Sequence, residues 1–363
     1  MTPRVLFLVN GLGLGNSTRC HAVIEELLAS GAAVEIITSD NGLWYFADKG
    51  QLQGITAVPS LRYGQKGGRI SIAATLGQAG EMLAALRRLD RVVAAAIARF
   101  RPHVVVADSV YACRPVRRAG LPLAALNNSD MVGRNMVRLR DWPPSILPQF
   151  LAIELADHLY HRAIPDLVIS PRLDPADRAE GGPFRRVGPI VRRGCHAASQ
   201  PADGPPRRVA VMLSGSVFGS HVLFRRAHSD LRIDVLGRPA PEEESGGGQV
   251  VYHGKLRDSL TLLAAADLVV VNGGFSAVSE ALMMAKPMVV VPVPRHAEQW
   301  VNGRVVRHLG IGLTAAEPEL EEAMNLALRQ IDRLRAGYRA LPRQTNGAPQ
   351  AAEMILALAR GGR

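Results

Sequence analysis

The chain has 363 residues, 47% of them hydrophobic, which is enough for two domains of ordinary size with separate cores. Its formal net charge of +11 comes almost entirely from dispersed arginines, and with only 5% aromatic residues this composition argues against nucleic-acid binding. Three scattered cysteines and the lack of an apolar run near ~20 residues argue against a zinc site and a membrane-spanning helix, and favour the reducing cytoplasm.

The N-terminal residues predict a βαβ unit. Residues 4–10 predict a strand that ends at the glycine-rich stretch GLGLGN. A helix is predicted from about Thr18 to Ser30, with Ser17 as its cap, and a second strand from Val34 to Thr38. Because parallel strands joined by helices form an open α/β sheet, we expect a Rossmann-like first half.

Polar side chains follow two of the later strands in the first half. Buried strands are predicted at 104–107, 123–126 and 167–170. Asp108 follows the first of them and Asn127 follows the second. Open α/β sheets bind ligands at the carboxyl ends of their strands, so both residues are candidates for a binding site, and a turn cap is the alternative.

The segment 131–162 mixes arginines with large apolar residues, and three interpretations of it stay open. Its arginines and apolar residues include Arg134, Arg138, Arg140, Trp142, Ile146, Leu147 and Phe150. The mixture fits a lid over a cleft, a surface that contacts an anionic membrane, or a helix and loop packed on the domain.

A proline-rich linker at 196–208 precedes a second α/β half. That half begins with a strand from Val209 to Leu213, followed by a turn rich in glycine and serine. We therefore predict one domain over 1–195, a second over 209–345, and a final helix within 346–363.

The most informative stretch is 268–299, which predicts a strand, a glycine turn, a helix and a second strand. Gly273 and Gly274 break the first strand, and Ser276 is a candidate N-cap for a helix that ends before Pro287. Glycines let a ligand approach the backbone closely, and the start of a helix suits an anion such as a diphosphate.

Side chains beyond the turn suit other parts of such a ligand. Ser276 and Glu280 are four residues apart, so they share one face of the helix. A carboxylate at position 280 can accept two hydrogen bonds from a ribose diol, and Gln299 in the next polar loop can reach a third part of the ligand. The alternative is a structural turn with an exposed glutamate.

These residues resemble the donor half of GT-B glycosyltransferases, in particular the MurG group and its family 28 relatives. The shared pattern is Gly-Gly, a serine, a Ser-Glu-Ala-Leu helix, Lys-Pro and a His-x-x-Gln loop. The resemblance implies an α/β fold of two Rossmann-like domains whose parallel sheets face each other across a cleft. It implies that Gly273, Gly274 and Ser276 hold the donor diphosphate, Glu280 holds the ribose and Gln299 contacts the sugar.

The same resemblance implies further roles. Ser214, Gly215 and Ser216 would be additional contacts of the diphosphate, and His253 follows the strand whose end contacts the nucleotide base through the backbone. Asn272 stands where retaining enzymes carry a second glutamate, which implies an inverting enzyme. The sequence has no Asp-x-Asp motif, so we expect neither a metal nor another cofactor.

The glycine loop of the first half departs from the resembled family at one position. Gly13 and Gly15 belong to an acceptor-side loop that usually continues with a histidine, the general base, and an arginine three residues later. Here Asn16 stands at the position of the histidine, with Arg19 in register. Asparagine cannot take a proton, but it can orient an acceptor hydroxyl.

Another residue must therefore act as the base. We predict Asp108, because its strand end should face the same cleft as the glycine loop. His21 on the first helix is the alternative, although a single helical histidine is more often structural. Asn127 should lie on the same acceptor side.

Three other functions stay open at this point. The G-x-G-x-G loop, with Asp40 at the end of the second strand, permits a dinucleotide site and hence an oxidoreductase. A UDP-sugar epimerase shares the GT-B fold, although the known ones carry an acidic, arginine-rich loop where this chain has RHAEQW. The asparagine at position 16 also permits a catalytically weak protein that only binds a sugar nucleotide.

We predict an inverting glycosyltransferase that uses a UDP- or dTDP-sugar donor. Its acceptor is a hydroxyl of a lipid-linked or small molecule in the first domain. The net charge of +11 and the segment 131–162 predict a peripheral contact with an anionic membrane, so we expect a cytoplasmic protein at the inner face of the membrane.

Overall fold

A computed structural model describes residues 2–59, 65–66, 69–70, 79–178, 180–195, 201, 203–213, 231–240 and 249–361. Ser214, Gly215 and Ser216, which were predicted to contact the diphosphate, lie outside the described residues, and so does most of the first half of the linker. Among the described residues, no helix is long and apolar enough to cross a membrane.

The first half is built on a parallel sheet of seven described strands. In chain order, its strands and a separate short hairpin (β4 and β5) are β1 (Arg4–Val9), β2 (Ala33–Thr38), β3 (Gly54–Ala57), β4 (Gln65–Lys66), β5 (Arg69–Ile70), β6 (Val104–Asp108), β7 (Leu123–Leu126), β8 (Leu167–Pro171) and β9 (Phe184–Val187). The spatial order is β3-β2-β1-β6-β7-β8-β9. Val9, the last residue of β1, pairs with Asp108, the last residue of β6. The strand order reverses between these two strands, which is where such sheets bind ligands.

The second half repeats this architecture with six described strands. They are β10 (Arg208–Met212), β11 (Arg232–Leu236), β12 (Val250–Tyr252), β13 (Leu268–Val271), β14 (Met288–Val290) and β15 (Gly312–Thr314). All pair in parallel, in the order β12-β11-β10-β13-β14-β15. The order reverses between β10 and β13, so the turn after β13 lies beside the reversal point.

Helices cover both sheets. Those of the first half are α1 (Leu14–Ala29), α2 (Asp40–Phe46), α3 (Ala79–Phe100), α4 (Cys113–Arg118), α5 (Ser129–Arg138), a 3-10 turn (Pro144–Ile146), and α6 (Leu147–Gln149), which continues through a π-helical turn (Phe150–Glu154) into α7 (Leu155–Ala163). Those of the second half are α8 (Leu260–Ala265), α9 (Phe275–Met283), α10 (Ala297–His308), a 3-10 turn (Glu317–Glu319), α11 (Leu320–Arg329), α12 (Ile331–Ala340) and α13 (Ala348–Gly361).

The two halves share buried surface. One apolar cluster contains Met131 and Ile146 of the first half together with Val278 and Val301 of the second. The last helix, α13, buries Ile355 in a cluster with residues of β1 and α1. The two halves are therefore joined by packed side chains in two separate apolar clusters. Contacts between the halves can build a site.

The predicted starts of two helices were wrong, together with their predicted caps. Helix α1 begins at Leu14 rather than Thr18, so Ser17 is a buried residue inside the helix and not its cap. Helix α9 begins at Phe275 with Gly274 as its N-cap, so Ser276 lies in the first turn. In both cases glycine serves as the N-cap. The hydroxyl of Ser276 donates to Gly15 of the first half, and the buried hydroxyl of Ser17 has no hydrogen-bond partner among the described residues.

Three of the large apolar residues on which the membrane interpretation of segment 131–162 relied are not on the surface. Ile146 is only 3% exposed, and Trp142 and Phe150 pack against the apolar cluster shared by the two halves. For these three residues the packed interpretation is correct, because they fill the space between α5, α10 and the second sheet.

Candidate active site

The N-termini of two helices meet between the halves of the molecule. Helix α1 begins after Gly13, and helix α9 begins after Gly274. The hydroxyl of Ser276 donates a hydrogen bond of 2.7 Å to the backbone carbonyl of Gly15 and so joins the two helix starts. The first-turn amides of a helix lack partners within the helix, and its dipole is positive at this end. Two such ends close together favour an anion between the halves.

The turn before α9 requires glycine at one position and leaves open space at the next. Gly273 has φ of +84°, and a Cβ there would lie 2.7 Å from a methyl group of Val290 and 2.9 Å from the carbonyl of Gln299. Asn302 also donates a 2.8 Å hydrogen bond to the carbonyl of Gly273. A Cβ at Gly274 would meet nothing within 4 Å among the described atoms. The turn is thus fixed by packing on one side and open on the other.

Glu280 forms a buried ion pair with the first half. Arg192 donates to both carboxylate oxygens, at 2.8 and 3.1 Å, and the two residues are 6% and 4% exposed. Although burial alone would lower the pKa of Arg192, the charge of Glu280 raises it, so the guanidinium stays protonated. A ribose at Glu280 must therefore share this carboxylate with Arg192 or replace it.

Ser276 and Glu280 share one face of α9, as their spacing predicted. Both side chains contact the first half, through Gly15 and Arg192 respectively. The face predicted to bind a ligand is therefore also the face that holds the two halves together.

Asp108 is enclosed in the same way. It is fully buried, and Arg19 donates to one of its oxygens at 2.9 Å and to the other at 2.7 Å. The thiol of Cys20 lies 3.4 Å from the carboxylate, and burial raises the pKa of that thiol. This geometry argues against Asp108 as a direct base, because both of its oxygens already accept hydrogen bonds from a cation.

The other two candidates for catalysis lie on α1. Asn16 is half-buried in the first turn, next to the contact between Gly15 and Ser276. The ring of His21 lies 3.0 Å from the hydroxyl of Tyr45 and packs edge-on against Phe46. Burial lowers the pKa of His21 to about 4, so the ring is neutral at pH 7 and is part of the packing between α1 and α2.

Two further predicted residues have structural partners. The amide oxygen of Asn127 accepts from the backbone of Ser129, and its amide nitrogen donates to Asp157 at 2.7 Å. This is the turn-cap alternative considered for Asn127. The ring of His253 lies 2.7 Å from a carboxylate oxygen of Asp234, and its backbone N–H donates to Val235. Neither Nε2 of the ring nor the backbone N–H of His253 is therefore free to contact a nucleotide base.

The N-terminus of α10 brings polar side chains to the cleft, and Gln299, which was predicted in a loop, lies in the first turn of this helix. Gln299 accepts a 2.9 Å hydrogen bond from the backbone of Val293, which fixes its amide group beside the glycine turn. The adjacent Glu298 accepts a 3.1 Å hydrogen bond from Asn128 of the first half. Glu298 thus reaches across the cleft from the same helix turn as Gln299.

Sequence reasoning missed five residues of this region. Arg192 pairs with Glu280, Asn128 contacts Glu298, and polar side-chain atoms of Glu154, His296 and Glu298 lie within 4.8 Å of one another. Signals existed for His296 and Glu298, which belong to the His-x-x-Gln pattern that ends at Gln299, and for Asn128, which directly follows Asn127. The others are brought to the site by long-range packing.

Comparison with known proteins gives a consistent result. The chain matches the family model described as Glycosyl transferase family 1 over residues 3–143 and 187–329, which is more than half of the chain. It is 25% identical to the UDP-N-acetylglucosamine--N-acetylmuramyl-(pentapeptide) pyrophosphoryl-undecaprenol N-acetylglucosamine transferase of Sinorhizobium fredii, over 99% of this chain and 95% of the relative.

Two solved structures show the same fold over nearly the whole chain. Acinetobacter baumannii MurG is 13% identical with a TM-score of 0.61, covering 98% of this chain and 99% of that one. The glycosyltransferase SsfS6 of Streptomyces sp. SF2575, complexed with thymidine diphosphate, is 18% identical with a TM-score of 0.57, covering 98% and 99%. The predicted GT-B fold is thereby confirmed.

Proposed function

This chain belongs to the glycosyl transferase family 1, and from that premise we propose that it moves a sugar from a UDP- or dTDP-linked donor to a hydroxyl group of a lipid or small-molecule acceptor. It is an enzyme that transfers sugars, and the earlier alternative of an oxidoreductase was wrong. The name of the Sinorhizobium fredii relative specifies a UDP-sugar donor and an undecaprenol-linked acceptor, and the SsfS6 structure holds thymidine diphosphate.

The observation that carries the proposal is the meeting of two helix N-termini at Gly15 and Ser276. A nucleotide diphosphate sugar has its negative charge at the diphosphate, and the reaction adds charge there as the bond to the sugar breaks. Backbone amides and helix dipoles that already point at that charge stabilise the leaving group without a further rearrangement. Among the described atoms, none lies within 4 Å of a Cβ placed at Gly274, beside these amides.

The donor residues keep the roles predicted for them, as part of this proposal. Backbone groups at Gly273 and Gly274 bind the diphosphate, Glu280 binds the ribose and Gln299 contacts the sugar. Arg192 offsets the charge of Glu280, which would otherwise repel a nearby phosphate. Transfer inverts the anomeric centre in one displacement, with the acceptor held by the first domain.

A lipid acceptor at an anionic membrane is supported by one exposed apolar surface. Leu151, Leu155 and Leu159 recur every fourth residue and are 51%, 36% and 57% exposed. Val137, 74% exposed, and Arg134 belong to the neighbouring helix α5. Exposed leucines beside arginines favour a peripheral contact with anionic lipid. These exposed residues form the proposed lipid-contacting surface. Trp142, Ile146 and Phe150, which were considered for it from the sequence, pack inside the protein.

Nucleotide release tests the proposal against its two remaining alternatives. The protein is mixed with UDP-N-acetylglucosamine or dTDP-glucose, with and without a long-chain alcohol. A transferase releases nucleoside diphosphate faster when the alcohol is present. An epimerase converts the sugar nucleotide without releasing it, and a protein that only binds leaves the donor unchanged. Either of these last two results would contradict the proposal.

A further inference from the structure

The transfer reaction needs a proton acceptor, and the residues first considered for that role are poorly suited to it. Asn16 has no titratable group. The carboxylate of Asp108 is occupied on both oxygens by Arg19. His21 is packed against Tyr45, and its pKa of about 4 makes it a weak base.

Glu154 lies in the first half, on the proposed acceptor side, and faces the N-terminus of α10. It is the last residue of the π-helical turn Phe150–Glu154, and such turns occur frequently at functional sites. Its carboxylate, the ring of His296 and the carboxylate of Glu298 have polar atoms within 4.8 Å of one another. His296 and Glu298 belong to the second half, so this cluster bridges the cleft beside Gln299.

Two amides fix the cluster. Gln149 donates from Nε2 to Oε1 of Glu154 at 2.8 Å, and its own Oε1 accepts from the backbone of Ala297 at 2.9 Å. Asn128 donates to Oε1 of Glu298 at 3.1 Å. Among the residues that the structure describes, no donor reaches Oε2 of Glu154. That oxygen can therefore receive a proton without breaking a contact.

The surroundings make Glu154 a stronger base than an ordinary glutamate. Burial, together with the charges of Glu298 and Asp157, raises the pKa of Glu154 to about 8, against the opposing effect of the hydrogen bond from Gln149. Burial lowers the pKa of His296, so its ring is neutral near pH 7 and does not compensate the two carboxylates. A base whose pKa lies near the working pH transfers protons most effectively.

We infer that Glu154 is the general base of the sugar transfer and serves the function of the histidine that Asn16 replaces. This inference rests on the proposed function. The oxygen of the acceptor hydroxyl bonds to C1 of the sugar, while the bond from C1 to the diphosphate oxygen breaks and its electron pair leaves with the nucleoside diphosphate. The hydroxyl proton passes to Oε2 of Glu154, which later releases it to water.

The test compares the wild type with Glu154→Gln and with Glu322→Gln, a matched change at an exposed carboxylate of α11. The donors are UDP-N-acetylglucosamine and dTDP-glucose, and the acceptors are a long-chain alcohol, 4-nitrophenol and water. We expect Glu154→Gln to lower kcat for the alcohol at least ~100-fold, with calorimetric Kd values for UDP and dTDP unchanged. Glu322→Gln should match the wild type.

Two further readouts separate a base from a merely structural residue. The loss in Glu154→Gln should be much smaller with 4-nitrophenol, because this acidic phenol gives up its proton without help. The wild-type kcat should rise with pH through about 8, since the carboxylate must be ionised to accept a proton, and the variant should lack this rise.

Several outcomes would overturn the inference. They are an unchanged kcat in Glu154→Gln, an unchanged pH profile, an equal loss with both acceptors, or activity that depends on a divalent cation and disappears on chelation. An active wild type with an active Glu154→Gln variant overturns this inference alone. A wild type that consumes no donor with any acceptor overturns the proposed function as well.

Discussion

The carboxylates around the cleft fall into two regions, which differ in the groups that donate hydrogen bonds to them. Asp108 and Glu280 each face an arginine that donates to both oxygens. Glu154 and Glu298 face each other and receive hydrogen bonds only from the amides of Gln149 and Asn128 among the described side chains.

This difference distinguishes carboxylates that stabilise the structure from carboxylates that are able to transfer protons. A guanidinium that donates to both oxygens of a carboxylate fixes the elements that carry the two groups. An amide that donates to one oxygen fixes the position of the carboxyl group and leaves its second oxygen open to a proton. We therefore expect substitutions in the ion-paired region to change stability and binding, and substitutions at the facing pair to change the rate of proton transfer.

The largest effect on stability should follow from breaking the pair of Arg19 and Asp108. Arg19→Met leaves a fully buried carboxylate without its cation, which should lower the free energy of unfolding by about 3–5 kcal/mol in urea titrations. The double variant Arg19→Met/Asp108→Leu should recover most of this loss, because it removes both charges. If the single variant lowers the free energy of unfolding by less than about 1 kcal/mol, the pair does not stabilise the fold.

The ion pair between the halves should have a smaller effect, expressed in nucleotide binding. Glu280→Ala removes a charged acceptor of hydrogen bonds, worth about 1.5–3 kcal/mol, so the Kd for UDP or dTDP should rise roughly 10- to 150-fold with the fold intact. Calorimetry on Glu280→Ala, Arg192→Met and the double variant measures how far the two losses overlap. If Glu280→Ala leaves the affinity for both nucleotides unchanged, Glu280 only joins the two halves through Arg192 and does not bind ribose.

The difference between the regions also explains what the sequence could predict. Gly273, Gly274 and Glu280 lie within one strand–turn–helix unit, where φ of +84° at Gly273 and helical spacing tie residue type to geometry. The donor half and its fold could therefore be predicted from local pattern, and the comparisons confirm the fold.

Contacts across the cleft could not be predicted in this way. Arg192 and Glu280 are 88 residues apart, and Asn128 and Glu298 are 170 residues apart, so no local spacing relates them. The prediction of Asp108 as the base followed from its place at a strand end, which gives no information about Arg19 filling both oxygens. Only the packing of α1 on the sheet brings that arginine to it.

The helix start at Leu14 was missed for a different reason. The glycines at 13 and 15 favour a loop by propensity, since glycine weakens helix interiors. In the first turn this cost is small, and the backbone carbonyl of Gly15 accepts the hydrogen bond from Ser276 of the second half.

The smallest expected effect concerns the exposed leucines. Leu151→Ser and Leu159→Ser each remove roughly half of a leucine surface, worth about 1 kcal/mol, so each should weaken binding to phosphatidylglycerol vesicles about five-fold in co-sedimentation. Leu326→Ser, at a leucine 39% exposed in the second half, is the matched control and should bind like the wild type. Binding of the wild type should weaken at high salt, and no binding at low salt would remove the lipid interpretation.

The most direct test places a carboxylate at the helix start where the diphosphate is proposed to bind. Gly274 has φ of −60°, and no described atom lies within 4 Å of its Cβ position, so Gly274→Asp should fold normally; aspartate is at least as good an N-cap as glycine. Its carboxylate would accept hydrogen bonds from the first-turn amides that the diphosphate is proposed to use. Gly274→Ala adds a side chain without charge, and Gly50→Asp adds the same charge at an exposed glycine elsewhere.

Calorimetry with UDP and dTDP on these three variants is the deciding measurement. We predict that Gly274→Asp loses at least ~10-fold in affinity for the nucleotide that the wild type binds, with an unchanged or higher Tm. Gly274→Ala and Gly50→Asp should stay within about three-fold of the wild type. Wild-type affinity in Gly274→Asp would contradict a diphosphate site at the start of α9.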